Sequence, residues 1–587
     1  MIYQGRIPTP IKLLVVIVAF FTAYLIFNGG PTEIDPIDDI NNLYPNPKAI
    51  PDTSPPQPKH HTNFRPVDKG FLAKMDKQTL KCPDYVEYSK QAHPPYSLPD
   101  FHYPYMRPAP KCRTFTSSAV EKLIVDLTSK VKNADLARLI ENCLPNTLDT
   151  TILYHNTEKP EQPQSFVVTG DIHAEWLRDA ARQLSVYQPL IKYDPKLQQL
   201  ILGAINTQAY YISNSPYCNA FHPPPKSGVK KGSTAMDDVH PRPDWKQVFE
   251  CKYEIDSLAS FLTLSNEYFQ HAPLEDKTKF LNREWLAAFE KLLVVIQREI
   301  QPSFDKETGQ ALPFYYSFQR HTNIGSETLP LGGVGNPVNF DVGLVRSAFR
   351  PSDDATVLQF FIPGNAHMVT ELIRARKMYL NKDMIDGLDR ITDVVDKFIH
   401  SISKGIKEYG IVNHAKYGKV YAYEVDGYGS ALFMDDANIP SLLSLPDMGF
   451  TSIDDPVYQN TRKMLLEKSG NPYYLTGQYF QGIGGPHIGI RNAWPMSLLV
   501  RIRTTENDQE ILKSLRLVME TTAGLGLMHE TVDVNSQGGR HYTRSWFAWC
   551  NSEFGKTILH LAKHKPHLIF KPEFSESYDL EKVLGSS

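Results

Sequence analysis

Residues 286–296, Leu-Ala-Ala-Phe-Glu-Lys-Leu-Leu-Val-Val-Ile, decide the fold class of this chain. Leu286, Phe289, Leu292, Leu293 and Ile296 recur at spacings of three and four, which puts them on one apolar stripe of a helix. Ile511, Leu512, Leu515 and Val518 repeat the pattern, and similar periods run through 117–131, 197–212, 254–269, 366–380, 384–402 and 545–562. Alternating strand-like runs are scarce, so nothing supports a parallel sheet, and no short-period repeat of the solenoid kind occurs. The globular part therefore reads as all-α. A length of 587 residues is large for one compact domain, yet barrels of paired helices reach such sizes undivided.

The chain is 41% hydrophobic and 22% charged, with a formal net charge of −3, so no global field selects nucleic acid or an acidic polymer. A neutral substrate fits better. The 30 Tyr, 29 Phe and 6 Trp supply flat rings that suit the apolar faces of sugars, although core packing must account for most of them. Six cysteines, Cys82, Cys112, Cys143, Cys218, Cys251 and Cys550, show no Cys-x-x-Cys spacing, which argues against a structural zinc site. In an oxidising compartment some can pair, Cys82 with Cys112 among the candidates, and the connectivity stays open.

Residues 13–27 are unbroken Leu, Val, Ile, Ala, Phe and Tyr with one Thr, preceded by Arg6 and Lys12. No small-x-small cleavage site follows, so the segment reads as an uncleaved signal-anchor with its N-terminal side in the cytoplasm. A cleaved secretory signal is the alternative. A Pro-, Asp- and Asn-rich stretch follows, including Pro-Asp-Thr-Ser-Pro-Pro-Gln-Pro at 51–58, which cannot bury enough apolar area to offset ordering. The expected organisation is a cytoplasmic tail at 1–12, a transmembrane segment at 13–28, a disordered Pro-rich stem at 29–75 and one globular domain at 76–587. Such a type II membrane protein of the Golgi or endoplasmic reticulum faces the lumen. The chain has no Asn-x-Ser/Thr sequon.

Chemistry-bearing residues gather in five segments between the helices, where long loops are commonly functional. They are Thr-Gly-Asp-Ile-His-Ala-Glu-Trp-Leu-Arg-Asp at 169–179, Lys-Tyr-Glu-Ile-Asp-Ser-Leu at 252–258, Phe-Arg-Pro-Ser-Asp-Asp-Ala at 349–355, Met-Asp-Asp-Ala-Asn-Ile-Pro-Ser-Leu at 434–442, and a C-terminal group. The last joins Gly484-Gly485-Pro486-His487, Trp494-Pro495, Met528-His529-Glu530 and Arg544-Ser545-Trp546-Phe547-Ala548-Trp549. Asp-Asp pairs occur five times, so a doublet alone says little. Those at 353 and 435 sit in apolar surroundings, where charge needs a partner or a role; catalysis and a structural ion pair or cap both fit. Asp171, Trp176, Arg178 and Asp179 combine a guanidinium fork, carboxylates and a ring, a set able to clamp vicinal hydroxyls or to brace two helices. Lys252, Glu254 and Asp256 admit the same two readings. His487 follows glycines that let backbone approach a ligand, but a lone His is often only a satisfied hydrogen-bonder.

Other chemistries fail on spacing. His529-Glu530 lacks the second His of a zinc protease, because Asp533 stands there. The glycines at 482–485 are too short for a dinucleotide fingerprint, and no Gly-x-Ser-x-Gly elbow occurs. What remains is a carboxylate- and Trp-rich set without metal-ligand spacing. Glycoside hydrolysis asks for such a set: one acid for the leaving oxygen, one base for water, and rings and donors to hold the sugar.

At these segments the chain resembles glycoside hydrolase family 125, the exo-acting α-1,6-mannosidases of bacteria and fungi, from about 115 to 565. The resemblance rests on Trp176-Leu177-Arg178-Asp179, Arg350-Pro351-Ser352-Asp353-Asp354, Asp435-Asp436-Ala437-Asn438, Trp494-Pro495 and Met528-His529-Glu530, in order and spacing. His173 and Ser545 stand where the family pattern leads one to expect proline, and Cys550 where it leads one to expect a small residue. The resemblance implies an (α/α)6 barrel, a six-hairpin toroid, with the site in a funnel at one end, hydrolysis with inversion, and no cofactor. It implies Glu530 as general base and Asp353, ahead of Asp354, as general acid. Trp176, Arg178, Asp179, His487, Arg544 and Trp546 are implied to line the terminal mannose pocket. Asp171, Lys252, Asp256, Asp436, Asn438 and Trp494 complete the candidate substrate-binding set.

The expected partner is a mannose-containing oligosaccharide or glycoconjugate, with the membrane as the second. The rivals are a type II Golgi mannosyltransferase, which would ordinarily carry an Asp-x-Asp that this chain lacks, and a mannan-binding protein, which would be expected to have lost its acid or base.

Overall fold

The computed structural model describes residues 67–98, 100–234, 236–381 and 389–585. The tail, the signal-anchor and all of the stem before residue 67 lie outside the described residues; among those described, no helix is long and apolar enough to cross a membrane. The end of the segment read as stem differs from expectation. Lys69–Gln78 is helical, started by the Asp68 carboxylate, which accepts from Phe71 N–H.

Helices dominate, and their starts fall into two kinds. Ser118–Lys130 (α1), Ala134–Cys143 (α2), Pro195–Asn214 (α4), Arg283–Glu299 (α6), Pro456–Leu465 (α9) and Asp508–Met519 (α11) begin on Ser117, Asn133, Asp194, Asn282, Asp455 and Asn507. Each of these side chains accepts a backbone N–H of the first turn, the usual way to satisfy a helix start. Leu177–Ser185 (α3), Ile255–His271 (α5), Ile362–Met378 (α7), Pro495–Arg503 (α10) and Ala548–His564 (α12) begin instead on Trp176, Glu254, Phe361, Trp494 and Phe547, none of which caps with its side chain. Their first N–H groups go to neighbouring loops. Leu177 donates to Asn219 O, Ile255 to Ser347 Oγ, Ile362 to Tyr423 O and Ala548 to Thr169 O.

The second kind pack on one another in succession. α12 lies against α10 and α3, α3 against α5, and α5 against α7. Between α7 and α10 stand the turns at 441–450, held at both ends: Arg374 of α7 donates to Met448 O at 2.6 Å, and Arg503 of α10 pairs with Asp447 at 2.9 Å. Of the capped helices, α1 packs on α2, α4 on α6 and α11 on α10, and Asp389–Gly405 (α8) packs on α7, around one main apolar core.

The all-α reading needs one correction. Among the described residues there are seven small antiparallel sheets of two or three strands. Three of them, built around Glu175–Trp176, Phe360–Phe361 and Asn492–Ala493, immediately precede α3, α7 and α10. Strands of two or three residues leave no period-two signal, so the sequence could not display them. Cys82 pairs with Cys112 and Cys218 with Cys251, while Cys143 and Cys550 are buried thiols.

Candidate active site

Three of the inner helix starts converge on an open cavity of about 410 Å³. Trp176, Trp494 and Phe547, the residues immediately before α3, α10 and α12, line it together with Arg178, Asp179 and Trp549 from the first turns of α3 and α12. Because these starts lack side-chain caps, their positive dipole ends favour negative charge in the residues gathered there. The connecting loops bring Ser352, Asp353, Asn438, His487, Glu530 and Arg544.

Arg178 organises one wall. The residue is 2% exposed, with Nη1 2.5 Å from Glu254 Oε2 and 3.3 Å from Asp256 Oδ2, and Nη2 3.4 Å from Asp179 Oδ2 and 3.7 Å from Asp353 Oδ1. The bracing and site roles weighed in the sequence therefore coexist, since Arg178 ties α3 to α5 and also faces the cavity. More carboxylates than cations crowd here. Burial pushes Asp179 and Asp256 up to about 6 despite Arg178, and it holds Glu254 well above the usual range.

Asp353 escapes that trend. Burial alone would raise it, but Lys252 and Arg178, with a hydrogen bond to Glu254, bring it to about 2. Lys252 is buried, paired with Glu250 at 3.4 Å, and donates to Asp353 O at 2.9 Å. Asn219 reaches Glu250, Glu254 and Asp353 with one amide nitrogen. The Cys218–Cys251 disulfide joins the residues just before Asn219 and Lys252, fixing the spacing of the two groups that hold this carboxyl. Asp353 also has φ 68°, as Arg544 has φ 55°, a left-handed backbone that costs side-chain-bearing residues about 1 kcal/mol or more. Both side chains are aimed into the cavity from that conformation.

The second member of the doublet sits differently. Asp354 is fully buried, accepts from Ser352 Oγ at 3.3 Å and lies 3.7 Å from His487 Nδ1, outside the cavity lining. Burial disfavours charge on His487, but Asp354 and then Asp353 outweigh it and hold the imidazole at about 9. On the other side, Glu530 accepts from Thr543 Oγ1 at 2.8 Å, and Arg544 Nε lies 3.8 Å from Glu530 and 3.4 Å from Asp171.

Several expected contacts become supports. Asp171, Lys252, Asp256 and Asp436 do not line the cavity but hold Arg544, Asp353, Arg178 and Asn438 respectively; Asp436 accepts from the Asn438 backbone and amide at 3.1 and 3.0 Å. Gly485 packs closely beside it: a Cβ there would come within 3.1 Å of Asp436 Oδ2. Asp435 accepts from Leu442 and Leu443 N–H, the structural role open to that doublet.

Trp546 is a correction. It is 2% exposed, packed with Met106, Leu527 and Ala548 and edge-on to Tyr85, while Phe547 and Trp549 take the cavity wall. Trp176 and Trp494 do line the cavity, each with an indole N–H that has no partner among the described residues. The reading also missed Thr169, Pro351, Asn219 and the part played by Glu254. Asn219 carries no local signal beyond its neighbouring cysteine.

Residues 133–559 match the family of metal-independent α-mannosidases, GH125. The chain belongs to the GH125 family. It is therefore a glycoside hydrolase of a helix-rich, α/α-barrel type, and among the described residues no group of three His, Cys, Asp or Glu stands ready to hold a metal. The chain is 52% identical over 491 residues to the meiotically up-regulated gene 157 protein of Schizosaccharomyces pombe, covering 84% of this chain and 94% of that one. The fold is similar to that of a metal-independent α-mannosidase of Streptococcus pneumoniae, solved in a non-productive complex with α-1,6-mannobiose. That likeness has a TM-score of 0.67 at 30% identity, covering 76% of this chain and 98% of that one.

Proposed function

We propose that this GH125 enzyme removes terminal α-1,6-linked mannose from a glycan or glycoconjugate, acting from the chain end and inverting the anomeric configuration. The observation that carries the reading is that Asp353 and Glu530, on separate loops, face one cavity walled by Trp176, Trp494 and Trp549. The ring of inner helix starts makes that cavity a blind end suited to one terminal sugar. We read the helix succession as an (α/α)6 barrel whose fourth inner position, in chain order, is taken by the turns at 441–450 in place of a helix.

In this mechanism Glu530 takes a proton from water as the water attacks C1, and Asp353 protonates the departing oxygen. Asp353 and Glu254 share one proton through their hydrogen bond, and it rests on Glu254 because Lys252 and Arg178 favour charge on Asp353. Sugar entering the cavity excludes water and raises the cost of that charge, drawing the proton onto Asp353 for transfer. The proton that Glu530 removed returns to solvent, and Glu254 is reprotonated for the next turnover. Arg544 and Thr543 orient Glu530. Asp354, locked to His487, positions the turn.

The apolar run at 13–27 and the polar stretch after it support a luminal, membrane-anchored enzyme of the secretory pathway. A panel of linkage-defined mannobiosides, followed by proton NMR of the first product, tests the whole reading. Release of β-mannose from the α-1,6 isomer alone is expected. Initial release of α-mannose, or equal turnover of all linkages, refutes inversion or linkage choice respectively.

A further inference from the structure

Residues 84–107 precede the GH125 match at 133–559, yet they are built into the loops that carry Glu530 and Arg544. Those two residues flank one antiparallel pair, Thr531–Asp533 with Tyr542–Thr543, and face each other across its open end. The 84–107 segment grips both flanks. Ahead of Glu530, Asn142 donates to Pro104 O and to Gly526 O, at 2.9 and 3.0 Å, and accepts from Met106 N–H at 2.9 Å. Beyond Arg544, Trp546 joins Met106, Leu527 and Ala548 in a small apolar cluster set apart from the main core, with Tyr85 and Val86 packed on it.

Arg544 needs such support, because its φ of 55° is a left-handed backbone that a side chain disfavours. The groups around it are held one by one. His529, buried beside Glu530, donates its Nδ1–H to Arg544 O at 3.1 Å, with its ring stacked 3.9 Å from that of Tyr542. Ser89 is fully buried and gives its own proton to Val86 O at 3.1 Å, so the 2.5 Å bond between Ser89 Oγ and Ser545 Oγ is donated by Ser545. Trp546 is wedged between Tyr85, edge-on at 4.9 Å, and Gly170, where a Cβ would come within 3.3 Å of the indole. Gly170 precedes Asp171, the carboxylate 3.4 Å from Arg544 Nε. Tyr85 is itself fixed, its hydroxyl donating to Met106 O at 2.9 Å and accepting from Asn146 at 3.3 Å.

We propose that Ser89 and Tyr85 are positioning residues for the hydrolysis: acting through Ser545 and Trp546, they hold Arg544 in its left-handed turn and so set its guanidinium between Asp171 and Glu530. Neither touches the sugar. When the hold is lost, residue 544 relaxes toward an ordinary backbone, the guanidinium leaves Glu530, and Thr543 alone orients that carboxylate. A base displaced in this way slows the attack of water, while the walls that bind the terminal sugar stay in place. The inference rests on Glu530 being the general base.

Ser89→Ala, Ser545→Ala and the double variant, assayed on the mannobioside that the enzyme turns over, test the proposal at a temperature where denaturant curves show each protein fully folded. Each single change should lower kcat by about fivefold, the worth of one ordinary hydrogen bond, and leave KM within about twofold. The double variant should be no slower than either single one, because both remove the same bond. Tyr85→Leu, which frees Trp546 from outside, should act in the same direction, and it reads the same route should a serine variant fail to fold. Unchanged kcat in the folded variants, a loss confined to stability or KM, or losses that multiply in the double variant would overturn the proposal. Glu530→Gln separates this from the mechanism beneath it. Strap-dependent kcat together with an active Glu530→Gln protein would keep Ser89 and Tyr85 as positioning residues and remove Glu530 as the base; an inactive Glu530→Gln protein with the strap variants at full kcat would do the reverse.

Discussion

Replacing Arg178 with Met tests whether the crowded carboxylates are held by that one guanidinium. Arg178 lies within 3.7 Å of Glu254, Asp256, Asp179 and Asp353 and is 2% exposed. Removing one partner of a buried ion pair costs about 3–5 kcal/mol, and the upper half of that range is expected at pH 7.5 because several carboxylates lose the same cation. Glu254, Asp256 and Asp179 already sit above the ordinary carboxylate range, the last two at about 6. A carboxyl raised in the fold binds more protons folded than unfolded, so stability rises as pH falls through its folded pKa toward its unfolded value near 4. In the Met variant these values climb further. Its deficit should therefore be largest at pH 7.5 and shrink toward pH 5, as the orphaned groups take up protons. Denaturant midpoints of both proteins at pH 5, 6 and 7.5 measure this directly. A deficit below about 1 kcal/mol, or one that does not change with pH, would refute the account of Arg178 as the common counter-charge.

Glu530→Gln should abolish turnover of every mannoside, whereas Asp353→Asn should spare an activated aryl mannoside that needs little protonation; if Asp354→Asn shows that leaving-group dependence instead, the acid has been misassigned. Replacing Cys218 and Cys251 together by Ser opens a loop with a sequence separation of 33 and should cost about 3–4 kcal/mol by denaturant unfolding. The same variant should lower kcat more than it changes KM, because Asn219 and Lys252 no longer hold Asp353 at a fixed spacing. His487, raised to about 9, contributes stability that is complete below about pH 6.5 and lost as pH rises through 9. A thermal-melting profile should show that loss, and His487→Gln should remove it. Trp546→Phe should lower the melting temperature and leave KM unchanged, while Trp494→Phe should raise KM; the reverse pattern would return Trp546 to the sugar site.

Side chains at helix starts were legible because the motif and the geometry coincide there. Trp176, Arg178 and Asp179 follow one another across the start of α3, so a short local pattern carries three members of the cavity. The doublets were only half legible. Spacing could not show that the left-handed backbone at Asp353 exposes one carboxylate while Asp354 turns inward to His487. At the C-terminal group the sequence favoured Trp546, but the chain enters α12 at Phe547 and directs Trp546 toward Met106 and Leu527, leaving Trp549 to the cavity. Asn219 was invisible because its function comes from a disulfide and three carboxylates distant in sequence. The helical class showed in the apolar stripes; the short strands that aim the inner helices did not.

The two kinds of helix start separate what can be altered from what cannot. Capped outer helices draw on a common currency of Ser, Asn and Asp, and exchanging one such cap for another is worth a few tenths of a kcal/mol to about 1 kcal/mol, remote from the sugar. The inner starts have no such freedom, since installing a capping side chain at Trp176, Trp494 or Phe547 would erase a piece of the cavity wall. Thermal robustness and substrate choice are therefore adjustable independently, the first from the rim of the molecule and the second from its centre.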